Sequence, residues 1–267
     1  MPDPGNKSIN TPVVMYKDHR LTPAEEVVVR EVPVTLFLNE REFVTLVCSP
    51  GELRELAVGF LCSEGVLRKR EDLREVTINE GEGLIWVEAA VEAPSEETFL
   101  KRFITTCCGR GRASFYFIND ARGISPLTSD LRVAPRTVLS LVNQLEERSS
   151  LFRLTGGVHS AALCTGGEAL AFYEDIGRHN AVDKIFGRCF LEGIPLRDKI
   201  IVISGRVSSE ILIKTTRMGV PMVVSRSAPT KLAVDLAEEM GITVVGFARG
   251  DRFNIYSRSE RIVPDSD

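Results

Sequence analysis

The sequence has no apolar run near the roughly 20 residues that a membrane-spanning helix needs. Its start, Met1-Pro2-Asp3-Pro4-Gly5-Asn6-Lys7, lacks a basic stretch followed by an apolar one. A cytoplasmic location is therefore expected, without membrane association. There is no excess of positive charge either: 33 lysines and arginines face 37 acids, a net charge of −4. Nothing in that balance argues for wrapping duplex nucleic acid or coating an anionic membrane, so any basic site must be local. The cysteines follow no framework spacing (Cys48, Cys62, Cys107, Cys108, Cys164, Cys189) in a chain large enough to fold without staples, which favours reduced thiols, four of them packed as small hydrophobes. Paired Cys-x-x-Cys spacing is missing, and His159 is followed by Ser160-Ala161 rather than by the His-x-Glu of a zinc deaminase, so no metal centre is expected. Fixed-period repeats and low-complexity tracts are missing too. What is present is globular: 43% hydrophobic and 26% charged residues over 267 positions.

Residues 1–24 are rich in proline, asparagine and charge and read as an extended arm, with structure expected from about Glu25. Val27 to Leu38 and Glu42 to Cys48 suggest a hairpin around Asn39-Glu40-Arg41. Ser49-Pro50-Gly51-Glu52 offers a capping box before a helix carrying Leu53, Leu56, Ala57, Phe60 and Leu61, with Gly65 at its end. Strands at Leu73–Asn79 and Leu84–Val91 complete a β-rich region, 25–134, that ends in a flexible loop around Cys107-Cys108. A helix bearing Val138, Leu141, Val142 and Leu145 opens a second region, 135–267. There a hairpin turning at Gly166-Gly167 precedes alternating helices (Asn180–Leu191, Ser209–Met218, Thr230–Met240) and strands (Lys199–Ser204, Val220–Ser225, Ile242–Phe247). Such alternation calls for a largely parallel sheet covered by helices.

Polar, glycine-bearing segments fall where strands should end. In Ser204-Gly205-Arg206-Val207-Ser208-Ser209-Glu210, glycine admits close backbone approach, helix amides follow and Arg206 adds a cation: an anion cradle, or a plain turn with Ser208 as the cap. Asp175-Ile176-Gly177-Arg178-His179-Asn180-Ala181-Val182-Asp183-Lys184 concentrates an imidazole, acids and cations, with Arg178 and Lys184 able to grip an anion, or else forms a charge-paired helix start. His159, in Thr155-Gly156-Gly157-Val158-His159-Ser160, is a structural histidine or, with His179, part of a shared cleft. Phe247-Ala248-Arg249-Gly250-Asp251-Arg252 brings guanidiniums for phosphate and an aromatic for a flat base, or is a solvated loop. In Cys107-Cys108-Gly109-Arg110-Gly111-Arg112, flanking cations favour the thiolate, the nucleophilic form. A hydrolase built on His159 and His179 would call for an acidic metal-binding cluster that the sequence does not supply.

Together these motifs, with Lys214 and with Gly59-Phe60-Leu61 and Ser63-Glu64-Gly65, resemble the FdhD/NarQ family of formate dehydrogenase accessory sulfurtransferases from about Val27 to Tyr256. The resemblance implies an α/β fold, α+β overall: a cytidine-deaminase-like domain with a mixed sheet and helices, plus the smaller β-rich region. It implies a sulfurtransferase that carries sulfur as a persulfide from a cysteine desulfurase to the molybdenum bis-guanine-dinucleotide cofactor, activating formate dehydrogenase. A homodimer is implied too, with a guanine nucleotide as a cofactor mimic. Cys108 is the implied persulfide carrier. Phe247, Ala248, Arg249, Gly250, Asp251 and Arg252, with Gly205, Arg206, His159, Arg178 and His179, are the implied cofactor-binding set. One departure stands out: the family's Cys-Gly-x-Cys-Gly, aligned on Cys108-Gly109, puts Gly111 where its second cysteine belongs. A persulfide needs only one thiol; the loss equally suits a chaperone that binds the cofactor without transferring sulfur.

Overall fold

The computed structural model describes residues 7–91 and 125–264. Three sheets organise them. The first is a two-stranded antiparallel ribbon, β1 (Ser8–Lys17) and β2 (Arg20–Val29), turning at Asp18 and His19, both in the left-handed region. An extended arm was expected over most of this stretch. The ribbon stands exposed on both faces, so its strands carry no inside–outside alternation for a sequence reading to detect.

The second sheet has the order β4-β3-β6-β5, from β3 (Val32–Leu38), β4 (Arg41–Cys48), β5 (Leu73–Asn79) and β6 (Leu84–Ala89). The β3–β4 hairpin turns at Asn39 and Glu40, with φ of 48° and 64°, the two successive positive values that a tight primed turn requires. Helix α1 (Leu53–Ser63) lies on the inner face of this sheet. The expected capping box does not form: Gly51 and Glu52 take φ of 89° and 50°, and the helix starts without a side-chain cap. Ser49 is drawn away to Ile176, whose amide donates to its Oγ at 3.1 Å.

The third sheet has the order β12-β11-β10-β9-β7-β8. Strands β7 (His159–Thr165) and β8 (Glu168–Asp175) form the Gly166-Gly167 hairpin. β9 (Ile200–Ile203), β10 (Met222–Ser225) and β11 (Thr243–Arg249) run parallel to one another, and β12 (Arg252–Ser257) returns antiparallel. Helix α2 (Pro135–Arg148), followed by the short α3 (Ser150–Thr155), covers one face through Val138, Leu141, Val142 and Leu145. On the other face lie α4 (Arg178–Glu192), α5 (Ser209–Met218) and α6 (Lys231–Met240). Ser208 and Thr230 cap α5 and α6 by accepting from the amides of Ile211 and Ala233. A mixed-sheet α/β part joined to a β-rich part is thus the observed architecture.

Backbone contact between α1 and α4 joins the two parts. A Cβ on Gly59 would stand 1.7 Å from the Asp183 carbonyl oxygen, and one on Gly187 1.9 Å from that of Glu55. Only glycine permits this approach. Beside it lies a buried charge network. Lys184, fully buried, has its Nζ 2.9 Å from Asp175 and 3.2 Å from Glu52, and Lys7 reaches Glu52 at 2.7 Å. Asp175 also accepts from the Ser49 and Gly177 amides and from the Asn180 side chain. Burial works against the charge on Lys184, but Asp175 and Glu52 outweigh it and raise its pKa.

Candidate functional site

Parallel strands that end together leave an edge where backbone amides and following loops converge, the usual place for a ligand in such sheets. Here β9 ends in Ser204-Gly205-Arg206 and β10 in Arg226-Ser227, while β11 runs on to Phe247 and beyond. Strand β7 runs the other way, so its first residue, His159, reaches the same edge; it pairs with Asp175, the last residue of β8, from which Gly177 leads into α4. The segments singled out in the sequence therefore meet at one edge, except for the Cys107-Cys108 loop, which lies outside the described residues.

The tightest group is His159, Arg178, His179, Gly205 and Arg206. A Cβ on Gly205 would come within 3.3 Å of the Arg178 side chain and 3.4 Å of His159 Nδ1, so glycine is what lets both pack against this turn. Nε of Arg178 is buried with no hydrogen-bond partner among the described residues, and a buried donor left unpaired is costly unless a ligand supplies the acceptor. Arg206 is exposed at the rim. His179 Nε2 lies 3.2 Å from Glu210. Burial, then the Arg178 and Arg206 guanidiniums, hold the His159 imidazole below its ordinary pKa, with Asp175 opposing. Burial, then Lys214, Arg178 and His159, hold His179 well below its ordinary value. Two imidazoles held toward their neutral form beside the Arg178 and Arg206 guanidiniums make this turn locally electropositive.

Lys214 donates to both carboxylate oxygens of Asp183, at 2.6 and 2.5 Å, and Ser63 Oγ donates to the same group at 2.5 Å. This links α5, α4 and α1 behind His179. Lys184 does not join the site: the expected anion grip is corrected, because its ammonium is sealed between Asp175 and Glu52. No local spacing marks it, since every residue of α4 from Asn180 to Gly187 is buried.

Phe247 to Arg252 form the end of β11, a turn at Gly250-Asp251 and the start of β12. The sequence reading missed β12. Phe247 has φ of 53°, an uncommon value for a bulky side chain, and its amide donates to the Ser227 carbonyl at 3.0 Å. The Arg249 guanidinium lies 5.9 Å from the Phe247 ring centroid. Arg249 and Arg252 sit directly opposite each other, both exposed, a like-charge pair of the kind that costs a sheet stability. Ala248 is buried and serves packing. Because β9 and β10 separate β7 from β11, the two clusters are about 14 Å apart along the edge. That separation suits an elongated ligand.

The other described cysteines are poor nucleophiles. Cys48, Cys62, Cys164 and Cys189 are buried and free. Burial pushes Cys48, Cys164 and Cys189 up to about 12 and raises Cys62 as well. Among the described residues no group of three or more His, Cys, Asp or Glu is placed to hold a metal ion, and no helix is long and apolar enough to cross a membrane.

Fold and site together define a mixed-sheet α/β protein with a cationic, glycine-lined strand edge. The chain belongs to the FdhD/NarQ family, whose model matches residues 29–263. It is 47% identical over 248 residues to a protein of Bacillus pumilus named "Sulfur carrier protein FdhD", covering 92% of this chain and 94% of that one. It is 44% identical to a protein of the same name from Bacillus subtilis, with the same coverage. Among solved structures it matches one from Desulfotalea psychrophila, described as a "putative formate dehydrogenase accessory protein", with a TM-score of 0.82 and 28% identity over 96% of this chain and all of that one.

Proposed function

We propose that this protein carries sulfur as a persulfide on Cys108, taking it from a cysteine desulfurase and delivering it to a molybdenum bis-guanine-dinucleotide cofactor bound at the strand edge, in the maturation of formate dehydrogenase. The relatives' names support the sulfur-carrying role, and the accessory role follows that of the solved neighbour. The observation that carries the chemistry is a division of labour. The four described thiols are buried with raised pKa values, which leaves Cys107 and Cys108, in a stretch rich in arginine, as the thiols available for attack.

The cofactor is the cargo, and the residues at the edge fit such a guest. Arg178, with its unpaired Nε, and Arg206 suit one phosphate group beside Gly205; Arg249 and Arg252 suit another; Phe247 offers a face for guanine. His159 and His179, neutral when the site is empty, take up protons as phosphate charge arrives. In the transfer from the desulfurase, the Cys108 thiolate attacks the outer sulfur of the donor's persulfide; the sulfur–sulfur bond breaks and the donor cysteine leaves as thiolate. A homodimer is part of the same reading.

Incubation with a desulfurase and cysteine labelled in sulfur tests the proposal. Label is expected on wild type and lost in Cys108→Ala. No label on wild type, or undiminished label in the variant, refutes it. The Gly111 departure supports a second reading, a cofactor chaperone without sulfur transfer; it requires Cys108→Ala to retain full formate dehydrogenase activation.

A further inference from the structure

The face of the four-stranded sheet turned away from α1 carries a feature that neither the core nor the strand edge uses. Phe37 and Trp86, register partners on β3 and β6, stack with ring centroids 5.9 Å apart and planes 21° from parallel. Glu40, Glu75, Glu88 and Thr77 line the same shallow hollow, of about 510 Å³. Glu75 and Glu88 are directly opposite each other across β5 and β6. Like charges so placed destabilise a sheet, and none of the three carboxylates has an ion-pair partner among the described residues.

The cross-strand Phe37–Trp86 pair itself steadies the sheet, but mutually repelling acids beside it do not. One guest would use both: a flat cation lying on the indole face while carboxylates accept its N–H groups. We propose that this hollow docks an arginine side chain of a partner protein, with the guanidinium on Trp86 and its donors shared between Glu75 and Glu88. Arginine fits better than lysine because its planar fork spans two carboxylates and is more weakly hydrated than an ammonium. The hollow is shallow, so an arginine in a short peptide is held weakly and the titration must run to roughly millimolar peptide.

Trp86 is the chain's one tryptophan, so its fluorescence reads the site directly. The full chain is titrated with acetyl-Gly-Arg-Arg-Gly-amide, with the matched lysine and citrulline peptides, and with spermine. A saturable emission change is expected with the arginine peptide, weaker binding with lysine and none with citrulline. The Glu75→Gln/Glu88→Gln double variant, checked for folding by circular dichroism, is expected to bind about tenfold more weakly, having lost charged hydrogen-bond acceptors. No response to the arginine peptide, unchanged affinity in the folded double variant, or an equal response to spermine overturns the proposal.

Discussion

Replacing Gly59 by alanine tests how the two parts of the chain are joined, and two effects of opposite sign compete there. In an isolated helix alanine is favoured over glycine by about 1 kcal/mol. In this structure the new methyl would stand 1.7 Å from the Asp183 carbonyl oxygen, 2.6 Å from its carbon and 2.7 Å from the Gly187 nitrogen. All three atoms are backbone of α4, so no rotamer change relieves the contact and the helices must separate by more than an ångström. Overpacking of this kind costs about 3 kcal/mol or more, at the upper end of what cores show. The net expectation is a loss of at least about 2 kcal/mol, or about 4–8 °C in Tm for a chain of this size. Gly81→Ala is the control: its methyl would meet only the Asn79 side chain, at 3.5 Å, and the midpoint should barely move. Urea denaturation of both variants gives the comparison. A Gly59→Ala protein as stable as wild type would refute the backbone-contact account.

Further predictions concern charge. Lys184→Met leaves the buried Asp175 carboxylate without its cation and should cost about 3–5 kcal/mol in denaturant unfolding; a loss below about 1 kcal/mol would contradict the network's role. Arg249→Ala should leave stability unchanged or raise it by about 0.2–1 kcal/mol, by relieving repulsion from Arg252, while weakening GDP binding measured by calorimetry. His159 and His179 have folded pKa values below their unfolded ones, so the stability tied to them is complete above the ordinary histidine pKa of about 6.5 and is lost as pH falls below it; His179→Gln should flatten the fall in Tm over that range. An anion at the edge raises both imidazole pKa values, so GDP should bind more tightly as pH drops from 7.5 toward 6, with proton uptake seen in buffers of differing ionisation enthalpy.

Local signals made much of this fold readable. Paired glycines set the β7–β8 turn, Ser208 capped its helix, and strand–helix alternation placed Gly205 and Phe247 at strand ends, from which one shared edge follows. What escaped was decided at long range. Ser49 looks like a helix cap, yet hydrogen bonds with Asp175 and Ile176, more than 120 residues away, take it. Lys184 reads as an anion grip or as part of a charge-paired helix start, and the pairing holds because two carboxylates from different parts of the chain enclose it. Gly59 and Gly187 are ordinary helix residues until one sees the backbones they let touch. β12 hid because its exposed residues share no face, and β1 for the same reason.

The most direct test is a crystal structure with a guanine nucleotide bound. The account predicts phosphate oxygens on Arg178 Nε beside Gly205 or between Arg249 and Arg252, with the base against Phe247. A nucleotide bound away from the strand edge, with Arg178 Nε still unpaired, would contradict it.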